Sequence, residues 1–209
     1  MVLIQGLSQR LGAVRWGWIL QWWLVFLAAM APFALLLNSA LNNQLGADPA
    51  KTIVDELGTW AMNFLWITLA ITPARRVIGW RKPLLFRRMM GLYAFFYVVL
   101  HLLAVATFIL GWRVDLIVRE VSERPYVIVG FLAFLILLPL ALTSTKGWQL
   151  RLGRRWRSLH RWIYLASILV LLHFIWLIRA SYSEALFYGL ILAFLLGIRL
   201  YKNRNGRTR

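Results

Sequence analysis

Long apolar runs broken by short, charged connections set the pattern of this chain. Six runs stand out, at about 16–37, 57–72, 89–111, 125–143, 159–178 and 184–201. A helix rises about 1.5 Å per residue, so some 20 apolar residues cross a bilayer, and most of these runs come near that length. The second run is the weakest, because Thr59, Asn63 and Thr68 interrupt it. Asn63 and Thr68 read as polar contacts between helices, the common use of such groups in lipid, with a quinone site as the less favoured alternative. Pro125 suits the first turn of the fourth run, where a missing N–H costs little. No internal repeat and no low-complexity stretch is evident. The pattern predicts an all-α integral membrane protein, a six-transmembrane helical bundle forming one domain over 1–209. The first run follows Arg10 and Arg15, as the core of a signal peptide would. It is longer than such a core and no A-x-A site closes it, so it reads as an uncleaved anchor.

Composition agrees. The chain is 61% hydrophobic with a mean hydropathy of +0.69, where a soluble domain is about 45–50% apolar. The absence of Cys excludes disulfides, thiolate-held zinc, iron–sulfur clusters and a CxxCH haem attachment. A net charge of +17 would suggest nucleic acid in a soluble protein. Here the basic residues crowd short connections between spans, so lipid is the expected partner and nucleic acid is not. Arg10 and Arg15, then Arg75 to Arg88, then Lys146 to Arg161, then Arg199 to Arg209 hold 19 of the 24 Lys and Arg. All seven acids fall on the other three connections. By the positive-inside rule both termini are cytoplasmic. Trp16, Trp18, Trp60, Trp80, Trp112, Tyr126, Trp162 and Tyr201 fit interfacial belts. The outer segment 38–56, with Asp48, Asp55 and Glu56, reads either as a docking loop for a soluble partner or as an ordinary solvated loop.

The three histidines carry the chemistry. His101, His160 and His173 all lie in or at the edge of a span, and ionisable groups there usually face the bundle interior and act. Each can also be a packing residue that hydrogen-bonds a neighbouring helix. His101 and His173 sit at matched depths on the third and fifth runs, roughly 18 and 21 Å from the cytoplasmic edge at 1.5 Å per residue. Two imidazoles so placed can clamp one iron from both faces, a centre that moves electrons and leaves no open position for substrate. His160 lies about 20 Å lower, at a depth that suits a second haem. Its natural partner belongs around position 87, where the chain has Arg87. On a straight helix His160 and His173 stand roughly 140° apart, which opposes one shared seam.

Three stretches carry a resemblance. They are Leu45-Gly46-Ala47-Asp48-Pro49 with Ile71-Thr72-Pro73; Arg87-Arg88-Met89-Met90-Gly91-Leu92-Tyr93 leading to His101; and Leu142-Thr143-Ser144-Thr145, Leu152-Gly153, Trp156, Leu159-His160-Arg161 and Tyr164 ending at His173. This ordered set resembles the YedZ/MsrQ family of haem-binding membrane subunits, relatives of the ferric-reductase and NADPH-oxidase transmembrane domains. The resemblance implies a ferric-reductase-like bundle with haem b, one or two copies, on His101, His173 and His160. It implies a bacterial inner membrane and an electron-transfer subunit fed by the quinol pool or a cytoplasmic flavin reductase. The recipient would be a periplasmic molybdenum-dependent methionine-sulfoxide reductase of MsrP type, which repairs oxidised proteins and holds the sulfoxide-reducing site itself. FMN enters by this resemblance only, since no G-x-G-x-x-G loop is present. Arg87, Arg88 and Arg161 are the candidate partners of a flavin phosphate or of haem propionates, although arginine at a membrane edge is often a topology signal. A stand-alone haem metalloreductase or oxidase is the alternative, weakened because only eight residues follow Tyr201.

Overall fold

The computed structural model describes residues 2–79, 82–178 and 182–205, and within them the chain is helical wherever it is regular. The chain divides into two units, 1–44 and 45–209. The first is a single helix, α1 (Val2–Leu41), with Pro32 inside it. Its apolar part, Trp16–Leu41, carries a cluster in which Trp22 and Phe26 stack at 5.3 Å and Trp23 meets both edge-on.

The second unit holds α2 (Pro49–Ile78), α3 (Arg87–Ala104), α4 (Val114–Glu123), α5 (Pro125–Leu142), α6 (Lys146–Leu152), α7 (Arg154–Leu159), α8 (Ile163–Leu177) and α9 (Ser183–Asn205). Pro49 and Pro125 occupy first helical turns as their fixed φ favours. Asp48 caps α2, accepting from the Lys51 amide at 3.0 Å. The expected outer loop is therefore short. Only 42–48 separates α1 from α2, and Asp55 is already paired with Lys51 on the helix surface.

Among the described residues, five helical stretches are long and apolar enough to cross a membrane: Trp16–Leu41, Arg87–Ile109, Pro125–Leu142, Arg154–Leu177 and Ser183–Tyr201. The span expected at 57–72 lies on α2, which is long enough at 30 residues but less apolar than these five. Its burial explains the composition. Leu57, Ala61, Met62, Phe64, Leu65, Trp66, Leu69 and Ile71 are all buried, so α2 meets protein where the others meet lipid. Its polar groups find partners inside the unit. Asn63 accepts from the Tyr188 hydroxyl at 3.0 Å, and the Trp66 indole donates to the Tyr188 carbonyl at 3.1 Å, tying α2 to α9. Thr68 departs from the interhelical role expected of it: its hydroxyl donates back to the Phe64 carbonyl of its own helix at 2.8 Å.

The most extensive pairings are α2 with α3 and α5 with α8. In the first, Gly91 faces Thr68, and an added Cβ there would meet it at an ordinary contact distance of 3.6 Å. The end of α3 widens into a π-helical segment, Val105–Ile109, one turn past His101. A ten-residue amphipathic helix, α4, stands between the third and fourth apolar runs, where the sequence suggested plain connection. Arg113–Asp115, Arg119–Glu123 and Arg124–Glu120 ion pairs line its polar side, and Val114 and Val118 are exposed. Such a helix suits the plane of a membrane interface.

If α2 is the packed centre and the outer faces meet lipid, truncation costs should follow burial. Leu69→Ala, at a site with no exposed surface, should cost about 2–5 kcal/mol, while Leu190→Ala on the exposed face of α9 should cost under about 0.5 kcal/mol. Thermal unfolding in detergent measures the difference.

Candidate functional site

His101 on α3 and His173 on α8 meet inside the second unit. Their ring centres are 6.4 Å apart and their planes lie at 83°. The same device holds each ring. His101 Nδ1 bonds the Val54 carbonyl of α2 at 2.9 Å, and His173 Nδ1 bonds the Tyr126 carbonyl of α5 at 2.7 Å. A helical carbonyl already accepts from the amide four residues on, and its second lone pair remains for another donor. Those amides belong to Gly58 and Gly130. At Gly58 a Cβ would stand 3.1 Å from His101 Nδ1, and at Gly130 it would stand 2.7 Å from His173 Nδ1. Each glycine is bare so that an imidazole can lie against the helix backbone.

A carbonyl partner requires the proton on Nδ1, which leaves the Nε2 lone pair for a metal. A metal–imidazole bond of about 2.0 Å, with nitrogen about 1.2 Å from the ring centre, sets the centres of two imidazoles on opposite sides of one ion roughly 6.4 Å apart. The observed separation fits that arrangement. Among the described residues no group of three or more His, Cys, Asp or Glu could hold a metal ion. Two imidazoles alone leave an iron's other positions to a ligand the protein does not provide, which is the donor set of a macrocycle.

The two histidine seats share a spacing, although no internal repeat is evident along the chain. Gly58 and Gly130, Ala61 and Ala133, Leu65 and Leu137, Ala94 and Ala166, His101 and His173 are identical pairs at one constant offset of 72 residues. The alanines and leucines are buried. Val54 and Tyr126, whose carbonyls hold the rings, stand at the same offset and differ in type because only their backbone is used.

His160 lies elsewhere. It begins a 3-10 turn, His160–Trp162, between α7 and α8. Its ring stacks on Trp156 at 4.0 Å, Nδ1 bonds the Trp156 carbonyl at 3.2 Å, and buried Nε2 has no hydrogen-bond partner. The 3-10 turn reduces the expected angle between His160 and His173 without closing it, because about 120° per residue over three residues, in place of about 100°, shifts it by only about 40–60°. The same 72-residue offset pairs His160 with Arg88, one position past the expected 87.

The arginines separate. Arg88 and Arg161 are exposed, with Arg161 donating to Ser158 at 3.2 Å. Arg87 is half-buried and within electrostatic reach of His160, Tyr164 and Arg199. Sequence reasoning counted Arg199 only as a cytoplasmic charge. The structure buries it, with donations to the Tyr164 hydroxyl and the Leu69 carbonyl, each at 2.6 Å.

Residues 57–171 match the family model described as ferric reductase like transmembrane component, a stretch that includes His101 and His160 and ends just before His173. The chain is 47% identical over 190 residues to a protein of Xanthomonas euvesicatoria named protein-methionine-sulfoxide reductase heme-binding subunit MsrQ, covering 88% of this chain and 87% of that one. Proteins of the same name from Xanthomonas oryzae and Polaromonas naphthalenivorans are 46% and 44% identical, over 88% and 86% of this chain and 87% and 84% of theirs. No solved structure matches the chain.

The paired glycines give a graded expectation. Gly130→Ala should be the most damaging, destabilising by roughly 1–3 kcal/mol through overpacking, because its Cβ would strike His173. Gly58→Ala, with looser contacts, should cost less. Gly189→Ala, whose nearest neighbour would be 3.8 Å away, should be close to neutral. Thermal unfolding of the three variants in one detergent reads the order.

Proposed function

This chain belongs to the ferric-reductase-like transmembrane family and, within it, to the MsrQ haem-binding subunits, and from that premise we propose that it carries electrons across a membrane through haem b. One observation carries the reading: two imidazoles 6.4 Å apart, each with Nδ1 occupied by a helix carbonyl. In this proposal His101 and His173 would hold the haem iron, and His160 would offer one further nitrogen to an inner haem. Haem held by the first two would supply one-electron chemistry.

The chain's own residues set the conditions for that chemistry. The Val54 and Tyr126 carbonyls hold a proton on each Nδ1, fix the tautomer and raise the donor strength of Nε2. Gly58 and Gly130 keep the rings seated against the backbone. Buried Ala94, Ala133, Leu137 and Ala166 contribute the apolar shell that excludes water. Arg87, half-buried beside His160, is the best placed of the three expected arginines to meet an acidic group of a cofactor. Exposed Arg88 and Arg161 suit the membrane surface or the flavin phosphate that the resemblance implies.

In this reading, which the basic connections support, both termini lie in the cytoplasm of a bacterial cell with the spans in its inner membrane, and electrons enter from the quinol pool or a cytoplasmic flavin reductase. They leave toward a periplasmic molybdenum-dependent methionine-sulfoxide reductase. The names of the relatives support that pairing, and the sulfoxide chemistry belongs to the partner.

The test is a pyridine haemochrome assay on the purified protein and its variants. Removing a group that merely orients a ligand costs roughly 10–100-fold in metal affinity, so His101→Ala and His173→Ala should lose most of the haem and His160→Ala a part of it. Near-perpendicular rings should give the oxidised protein a strongly anisotropic low-spin EPR signal. The chain alone should not reduce methionine sulfoxide. A colourless wild-type preparation from haem-replete cells would overturn the reading.

A further inference from the structure

At the end of the second unit opposite its acids, four helices converge on a cationic cluster with no counter-charge. Arg199 of α9 is 8% exposed. It lies over the Tyr164 ring of α8 at 5.0 Å, and its two terminal nitrogens donate to neutral oxygens, the Tyr164 hydroxyl and the Leu69 carbonyl of α2. Its Nε is buried with no partner. Thr72 stands one turn along α2 from Leu69, and its hydroxyl is also buried without a partner. Arg87, at the start of α3, brings a second guanidinium within reach of the first. His160, whose Nε2 is the remaining unpartnered buried atom among the described residues, lies within reach of Arg87.

Buried charges are normally paired, and Arg87 adds like charge to the field at Arg199 where a counter-charge would be expected. The chain provides no remedy nearby. On α9 the nearest acid, Glu184, is fifteen residues from Arg199, about 22 Å along the axis. On α2 the nearest, Glu56, precedes Leu69 by thirteen residues, about 20 Å. The other acids lie on α4 or still nearer the start of α2. What is missing is a compact anion that accepts from a guanidinium Nε, a hydroxyl and a second guanidinium.

We propose that Arg199, Arg87 and Thr72, with Arg199 braced by Tyr164, form a binding site for the oxyanion of an amphiphilic molecule, a carboxylate or a phosphate, at the basic end of the bundle. Two sources carry that chemistry at this depth: the phosphate of an anionic lipid and a propionate of a porphyrin held through His160. Only the second source rests on the haem reading. Tyr164 and Leu69 occupy the terminal nitrogens of Arg199, so its Nε faces the ligand as a fixed donor, and charge-assisted bonds of this kind are strong.

The test uses the full chain, purified in detergent, in three forms: wild type, Arg87→Gln and Arg199→Gln. Arg199→Lys is added as a variant that keeps the charge. In the lipid arm, native mass spectrometry follows the titration of phosphatidylglycerol, with phosphatidylcholine as the reference for non-specific adducts. In the porphyrin arm, apoprotein is reconstituted with haem or with haem dimethyl ester, whose propionates carry no charge, in both the His160 and the His160→Ala backgrounds.

Losing a charged hydrogen bond weakens binding roughly tenfold or more. A lipid ligand should lose that much phosphatidylglycerol affinity in both glutamine variants, and wild type should then show no preference for haem over its ester. A propionate ligand should show as a preference for haem over its ester that needs His160 and disappears in the glutamine variants. Arg199→Lys, which keeps the charge but not the forked guanidinium, should weaken whichever effect is seen less than Arg199→Gln does. Arg87→Gln removes a half-buried group for which no structural hydrogen bond is needed, so it reports even if Arg199→Gln does not fold. If Arg87→Gln leaves both the lipid titration and the haem-to-ester preference as in wild type, the site does not exist. Loss of the His101 and His173 haem would instead bear on the electron-transfer reading and leave the lipid arm standing.

Discussion

Everything in the second unit answers to one requirement: a polar ring placed in an apolar interior must have its hydrogen bond supplied by backbone. Water is excluded there, and an unmatched N–H costs more than the usual net value of the bond itself. The helix carbonyls of Val54 and Tyr126 meet that requirement as doubly used acceptors. This works only if the ring can reach the backbone, and so glycine stands one turn beyond each carbonyl. Those two contacts fix which helices must be neighbours. The pairing of α2 with α3 and of α5 with α8, the most extensive in the unit, is the same pairing that seats the two rings.

Polarity is arranged from the inside outward. α2 is less apolar than the five helices that pass as spans and contributes many of the buried side chains, because its Asn63 and Trp66 find partners on α9. The outer faces carry leucine, phenylalanine and tryptophan in quantity, among them Leu24, Leu35, Phe131, Leu186 and Phe194, all exposed. On a soluble protein such a surface would drive aggregation. In lipid it is neutral, and the helices hold together through close packing and the few polar contacts within.

The chemistry was more legible in the chain than the means of holding it. Only three histidines exist, and two fall at equal depth on separate runs, so their meeting could be read from position alone. The glycines could not, because their role is an absent Cβ beside a residue 43 positions later. Only comparison of the chain with itself at the 72-residue offset exposes them. Five of the six apolar runs reappear as helices apolar enough to span, and the sixth is the interior helix. The amphipathic α4 escaped notice because ten residues between two spans look like a connection. Arg199 was misjudged because counting charge by loop treats an arginine near a span end as solvated, whereas its side chain folds back onto Tyr164 and Leu69. The 3-10 turn at His160 is a local change of winding that periodicity over a whole run averages away.

The seating of the two rings has a consequence for speed. A ring anchored at one edge by a carbonyl and backed by bare main chain has little freedom to swing or slide. A redox centre whose surroundings are already immobile changes charge with little nuclear rearrangement, and that rearrangement is a main barrier to electron hopping over short gaps. If the two rings hold a haem as proposed, the stiffness gained from two missing methyl groups would favour rapid passage in either direction and leave the direction itself to whatever lies at the two ends.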